Sequence, residues 1–137
     1  MKQIFAAVLL SWLFSASALA APPAVVPLAN TDKTVTGQTI TSPEHPTVKA
    51  VIATFMPGDK TVVHKHPYPH YGYVLEGVLT VVNVETGKSF DLKPGEFLIE
   101  MLNTAHYGEN RGTVPVKLLV VDSVPEGFAN NTVPVLP

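Results

Sequence analysis

Four of the five histidines in this chain are spaced so that they could meet at one point. His64-Lys65-His66 is an H-x-H pair. On an extended strand, residues i and i+2 face the same way. Two imidazoles then start about 7 Å apart at the backbone, close enough to converge on one ion. His70 follows the turn Pro67-Tyr68-Pro69, whose prolines limit its freedom and can return the chain toward the pair. His106 lies far along the chain, on another candidate strand that an antiparallel barrel can bring alongside. The chemistry would be binding of one divalent transition metal through neutral imidazole nitrogens. The spacing favours a metal site but is also compatible with a polar surface loop at 64–70 and a hydrogen-bonded core histidine at 106.

The elements that must position these side chains read as strands. Short runs rich in Val, Ile, Thr, Phe and Tyr fall near 34–41, 47–56, 61–66, 71–76, 78–84, 88–92, 96–101, 105–110 and 115–123. Turn residues separate them, among them Pro57-Gly58-Asp59, Glu76-Gly77, Thr86-Gly87 and Pro94-Gly95. Regularly spaced short strands imply an all-β sandwich or barrel. One stretch is ambiguous: Glu96 to Tyr107 lacks Gly and Pro, and Leu98, Met101, Leu102 and Ala105 have helical spacing. The bracketing Pro94-Gly95 and Gly108 favour strand. Core candidates are Phe55, Phe97, Ile99, Leu118 and Val120. The divisions expected are a leader at 1–20, an extended lead-in at 21–33, a barrel at 34–124 and an extended tail at 125–137.

Two glycine-framed segments carry a family resemblance. Gly58, five residues, His64-x-His66, three residues, position 70, six residues and Gly77 resemble the first cupin motif, G-x5-H-x-H-x3,4-E-x6-G. Gly95, five residues, Met101-Leu102-Asn103, two residues, His106, three residues and Asn110 resemble the second, G-x5-P-x-G-x2-H-x3-N. His70 stands where the motif has Glu, Met101 where it has Pro and Asn103 where it has Gly. The resemblance covers roughly 47–122. It implies a cupin-type β-barrel, a double-stranded β-helix or jelly roll, with His64, His66, His70 and His106 holding one metal ion. Four neutral imidazoles would leave the full +2 charge of a divalent ion, and the family's usual carboxylate would be missing.

Other residues read as structural. His45 sits in an exposed loop, Glu76 is a solvated hairpin residue and Asn110 a turn residue. Tyr68, Tyr71, Tyr73 and Tyr107 are packing or dimer contacts. Glu100 lies in an apolar run and is either on an outer face or a buried acid. No catalytic base is identified. The leading functional expectation is a metal-dependent oxygenase-type enzyme acting on a small organic substrate. The alternatives are a non-catalytic module that binds a metal or small anion, and a metal-dependent lyase or isomerase. Family habit points to Mn or Fe, whereas the Irving–Williams order favours Cu, with Zn and Ni also accommodated by imidazole. A homodimer is expected, through spare apolar strand faces.

Composition excludes other classes. With 9 Lys+Arg against 11 Asp+Glu there is no basic patch for nucleic acid. Cysteine is absent, so no disulfide holds the domain. Met1-Lys2-Gln3, the apolar run Ile4 to Phe14 and Ala18-Leu19-Ala20 have the order of a secretory signal peptide, too short for a comfortable membrane span. No Arg pair precedes the run and no Cys follows it, which points to the general secretory route into the periplasm with no lasting membrane anchor. Cleavage is predicted between Ala20 and Ala21. The intact mass of the exported protein checks this, and a mature form retaining Met1 to Ala20 contradicts it.

Overall fold

The computed structural model describes residues 21–136, so the leader expected at 1–20 lies outside the described residues. Nine strands occur among the described residues, and no helix. They are β1 (Pro46–Phe55), β2 (His64–Lys65), β3 (His70–Glu76), β4 (Leu79–Asn83), β5 (Ser89–Leu92), β6 (Phe97–Ile99), β7 (His106–Glu109), β8 (Val116–Pro125) and β9 (Val133–Pro134). The ambiguous stretch from Glu96 to Tyr107 is thus two strands with a turn between them.

The strands form two antiparallel sheets, ordered β1-β8-β3-β6 and β5-β4-β7-β2-β9. Sequence neighbours are mostly separated in the sheets, as in a jelly roll. Side-chain alternation then sorts the residues. Val74 on β3 and Val116, Leu118 and Val120 on β8 meet Leu79, Val81 and Leu92 of the facing sheet, with Leu98 and Met101, in one apolar core. Phe55 packs at its margin.

Three expectations are corrected. The strand expected at 34–41 is a tight turn closed by a single bridge between Lys33 and Thr39. Its threonines hydrogen-bond locally, with Gln38 N donating to Thr34 Oγ1, instead of joining a sheet. Phe97 is not in the core. It shares with Ile99 the outer face of β6, where it stacks on Tyr71, while Leu98 between them points inward. Ile99 is buried from outside, where Val35 N donates to its carbonyl. The tail is not merely extended, because β9 adds to the sheet beside β2.

Two of the motif positions have a backbone reason. Gly77 has φ +73°, and a Cβ there would lie 2.5 Å from the Pro115 carbonyl oxygen. Asn103, where the cupin motif has Gly, has φ 50°. Asn is the residue that best tolerates this left-handed region after Gly, so the turn into His106 survives the replacement. Met101, in place of Pro, is fully buried and receives the Asn83 side-chain amide at its sulfur. Gly77→Ala is predicted to destabilise the fold by about 2–4 kcal/mol, from left-handed strain plus the backbone clash. Asn103→Gly is predicted to leave stability within about 1 kcal/mol. Urea unfolding midpoints of both variants check this.

Candidate metal centre

The histidines meet because of register. His64 on β2 is directly opposite His106 on β7. His66 follows two residues later and bridges to Leu102, the residue after Met101. The proline turn then reverses the chain, and β3 begins at His70, opposite Asp122 of β8. Ring centroids lie 4.8 Å apart for His64–His66, 4.5 Å for His64–His106 and 4.9 Å for His66–His106. All three rings are buried.

Glu100 completes the cluster. It follows β6, and its amide donates to the His70 carbonyl, so it lies beside position 70 on the neighbouring strand. Its Oε2 is 2.7 Å from His106 Nε2 and 3.2 Å from His66 Nε2. Donor atoms of His64, His66, Glu100 and His106 all lie within 4.8 Å of one another. His70 is outside that four-donor group. Its ring stacks on His66 at 3.8 Å and 7°. Sequence alone allows Glu100 either an outer face or a buried position, and the fold makes it a buried acid at the site. The expectation of a centre without a carboxylate is corrected accordingly. A carboxylate is absent from position 70 and present one strand away.

Every one of the four rings has its Nδ1 against an oxygen that can only accept. The partners are the Val62 carbonyl at 2.8 Å for His64, the Asn131 carbonyl at 3.0 Å for His66, Asp122 Oδ1 at 2.7 Å for His70 and the Thr104 carbonyl at 2.8 Å for His106. Each Nδ1 therefore carries a proton and donates it. In the neutral ring the lone pair is then on Nε2, the tautomer that coordinates a metal through that nitrogen. A neutral His66 turns that lone pair toward the Glu100 carboxylate. Two acceptors facing each other at this distance need a proton or a cation between them. The donor set fits a divalent transition metal.

The Cupin domain family model matches residues 51–122, more than half of the chain. The protein belongs to the cupin family. It is 34% identical over 85 residues to auxin-binding protein 1 of Arabidopsis thaliana, a match covering 57% of this chain and 43% of that protein. The fold resembles the polyketide cyclase RemF of Streptomyces resistomycificus, with a TM-score of 0.56 and 22% identity over 68% of this chain and 63% of that one. It also resembles a Lactobacillus farciminis oxalate decarboxylase solved as a formate complex, with a TM-score of 0.50 and 26% identity over 58% of this chain and 25% of that one. The chain thus spans less than two thirds of the length of each of these proteins.

Electrostatics in this cupin site follow from burial and pairing. Burial pushes the His64 imidazole down to about 4, so it stays neutral. Burial also lowers His66, against the opposing pull of Glu100. For His106, burial is the largest single influence and lowers it, but the hydrogen bond to Glu100, the Glu100 charge and the Thr104 carbonyl together raise the imidazole. His70 is raised in the same way, burial being overcome by the Asp122 hydrogen bond together with the charges of Glu100 and Asp122. Burial would raise Glu100, but hydrogen bonds from His106 and His66 hold it well below the usual carboxylate range. Without an ion, then, the Glu100–His106 pair shares a charge-assisted hydrogen bond, and an incoming metal ion must displace its proton.

A cavity of about 350 Å³ opens above the histidines. Val51, Ala53, Phe55, Leu79, Leu118 and Val120 form apolar walls, and Lys49 sits at its edge. The tyrosines are absent from that lining. Tyr68 packs on Phe128, Tyr71 stacks on Phe97 and Tyr107 lies under Lys60. His45 is exposed and Asn110 closes a turn, donating to the Phe55 and Val114 carbonyls.

His106→Ala and His64→Ala are predicted to lose metal binding. His70→Ala should cost less, since it stands outside the four-donor group, and Glu100→Gln should weaken binding by roughly 10–100-fold. Equilibrium metal titration ranks the four variants, and an unchanged affinity in His106→Ala removes the site. A second prediction concerns the metal-free protein. The raised His106 and His70 contribute stability that is complete below pH 6.5, the unfolded value. That contribution is lost as pH rises through their higher folded values. Thermal unfolding from pH 6.5 to 9, above the range in which the lowered His64 and His66 act, should show this loss, and Glu100→Gln should remove the part due to His106.

Proposed function

We propose that this cupin is an exported metal-dependent enzyme of the oxygenase type, acting on a small carboxylate with an apolar body. The observation that carries the reading is the convergence of imidazole Nε2 atoms and one carboxylate on the floor of an apolar-walled cavity. A cavity of this size and polarity suits a small molecule with one polar end. The relatives support the substrate class. Auxin-binding protein 1 is named for binding auxin, and the decarboxylase is named for oxalate and solved with formate. Auxin, oxalate and formate share the carboxylate.

A bound transition metal would supply Lewis-acid and redox chemistry at open coordination positions. His64, His66 and His106 would hold it with Glu100, and His70 stacks on His66 beside them. Three imidazoles and a carboxylate present nitrogen and hard oxygen donors, which suits Mn or Fe as the functional ion. Cu, Zn and Ni are the competitors on affinity. Glu100 lines the cavity and is buried, so its carboxylate would also serve as a proton acceptor there.

The proposal extends to location and assembly. The leader-like start at 1–20 supports export to the periplasm, where the ion is acquired after translocation. A homodimer is supported by the outer face of the β1-β8-β3-β6 sheet. Two rows run across it, Ala50–Val121–Tyr71–Ile99 and Ile52–Leu119–Tyr73–Phe97. Val48 and Ile52 at its β1 edge are 65% and 55% exposed, so apolar surface is left uncovered there.

A second reading, a binding module without turnover, is favoured by one finding, the auxin-binding relative. Oxygen uptake by the metallated protein with a panel of aryl and alkyl carboxylates separates them. Uptake dependent on His106 is the expected result. Carboxylate binding with no uptake supports the module, and turnover without oxygen points to a lyase or isomerase. Either of these outcomes overturns the oxygenase reading.

A further inference from the structure

The chain after β8 leaves the region matched by the family model and folds back along the site as a strap, residues 126–135, with Asn130 and Thr132 lining the cavity. Three separate contacts hold it. β9 pairs with β2, and Val135 N donates to the Val63 carbonyl. Lys49 Nζ donates to the carbonyls of Phe128 and Ala129 at 2.8 and 2.6 Å. The Phe128 ring meets Tyr68 edge-on, with centroids 4.8 Å apart. Between these anchors the strap delivers one residue into the interior, Asn131, which is 2% exposed.

Asn131 spends all of its side-chain hydrogen bonds around the histidines. Its Nδ2 donates to the Tyr68 carbonyl at 3.0 Å and to Asp122 Oδ1 at 2.7 Å. Its Oδ1 accepts from Tyr68 N at 3.0 Å. Tyr68 is the centre of the turn between His66 and His70, so this amide clamps that turn from both sides. Asp122 Oδ1 is the same oxygen that receives His70 Nδ1. The backbone carbonyl of Asn131 receives His66 Nδ1. One residue therefore reaches His66 directly, His70 through Asp122, and the link between the two histidines.

We propose that Asn131 is a positioning residue for the metal centre, orienting His66 and His70 through these bonds. This rests on the reading that the imidazoles hold a metal ion. Partners of this kind set the tautomer and direction of a ligating ring, and their loss typically weakens metal binding by roughly 10–100-fold. Asp122 alone cannot hold its orientation, because its carboxylate would be free to turn once the Asn131 amide is gone.

The test is Cu(II) and Mn(II) titration of the full mature chain, with the Cu(II) electron paramagnetic resonance spectrum as a second readout. Asn131→Ala is expected to weaken binding by roughly 10–100-fold and to change the Cu(II) hyperfine pattern. Phe128→Ala removes strap packing without touching a ligand's hydrogen bond. It should lower the unfolding midpoint while keeping the parental affinity and spectrum. In a His70→Ala background the Asn131→Ala effect should shrink, because part of its path is already gone. If Asn131→Ala fails to fold, Asn131→Ser takes its place with the same expected outcomes. Parental affinity and spectrum in the folded Asn131 variant overturn the proposal, as does an equal loss in Phe128→Ala. Should His106→Ala itself bind metal like the parent, the metal reading fails first, which separates the two failures.

Discussion

A carboxylate buried among imidazoles inside an apolar barrel is the interaction on which the rest of this structure depends. Glu100 is 6% exposed, and an isolated charge at that depth would cost several kcal/mol. It is tolerated because the raised His106 imidazole donates to it from Nε2, while its contact with His66 Nε2 is the one that a cation would complete. No buried side-chain polar atom among the described residues is left without a partner. A polar cluster fully satisfied in this way is rigid, because moving any one member leaves others unpaired.

The barrel exists in the form that makes this possible. Pairing of β2 with β7 sets His64 against His106, and pairing of β3 with β8 sets His70 against Asp122. A slip of one residue in either ladder would turn these side chains to the opposite face. The long β1–β8 ladder, in register from Pro46–Pro125 to Phe55–Val116, resists such a slip in the sheet that carries Asp122. In the other sheet β2, which carries His64 beside β7, is only two residues long, and the C-terminal strap supports its free edge through β9.

Charge distribution follows from the same arrangement. Lys49, Asp122 and His70 occupy one row across β1, β8 and β3, while Val51–Val120 and Ala53–Leu118 make the apolar rows next to it. The polar chemistry is confined to one end of the cavity. A ligand entering it would meet the ion-binding groups with one end and hydrocarbon along its length, a division that favours an amphipathic small molecule over a uniformly polar one.

Much of this was legible in the residues alone. The H-x-H pair, the glycine-framed spacings and His106 carry their meaning locally, because strand alternation and turn geometry act over a few residues. Asn103 was legible as a departure from the motif, and its φ of 50° shows why the departure is mild. Other features depended on which strands became neighbours. Phe97 read as core because its apolar character says nothing about which face of β6 points inward. The threonines at 34–41 read as strand because propensity ignores local hydrogen bonding to their own backbone. Glu100 lay unassigned because its partners are distant in sequence or on other strands, and Asn131 gave no signal because its ties to His66 and Asp122 arise only when the strap folds back. The sequence by itself determined the all-β class and the histidine spacing, since both rest on short-range periodicity. Only the tertiary structure decided which carboxylate joins the histidines and which residue holds them, since long-range register, not composition, brings those groups together.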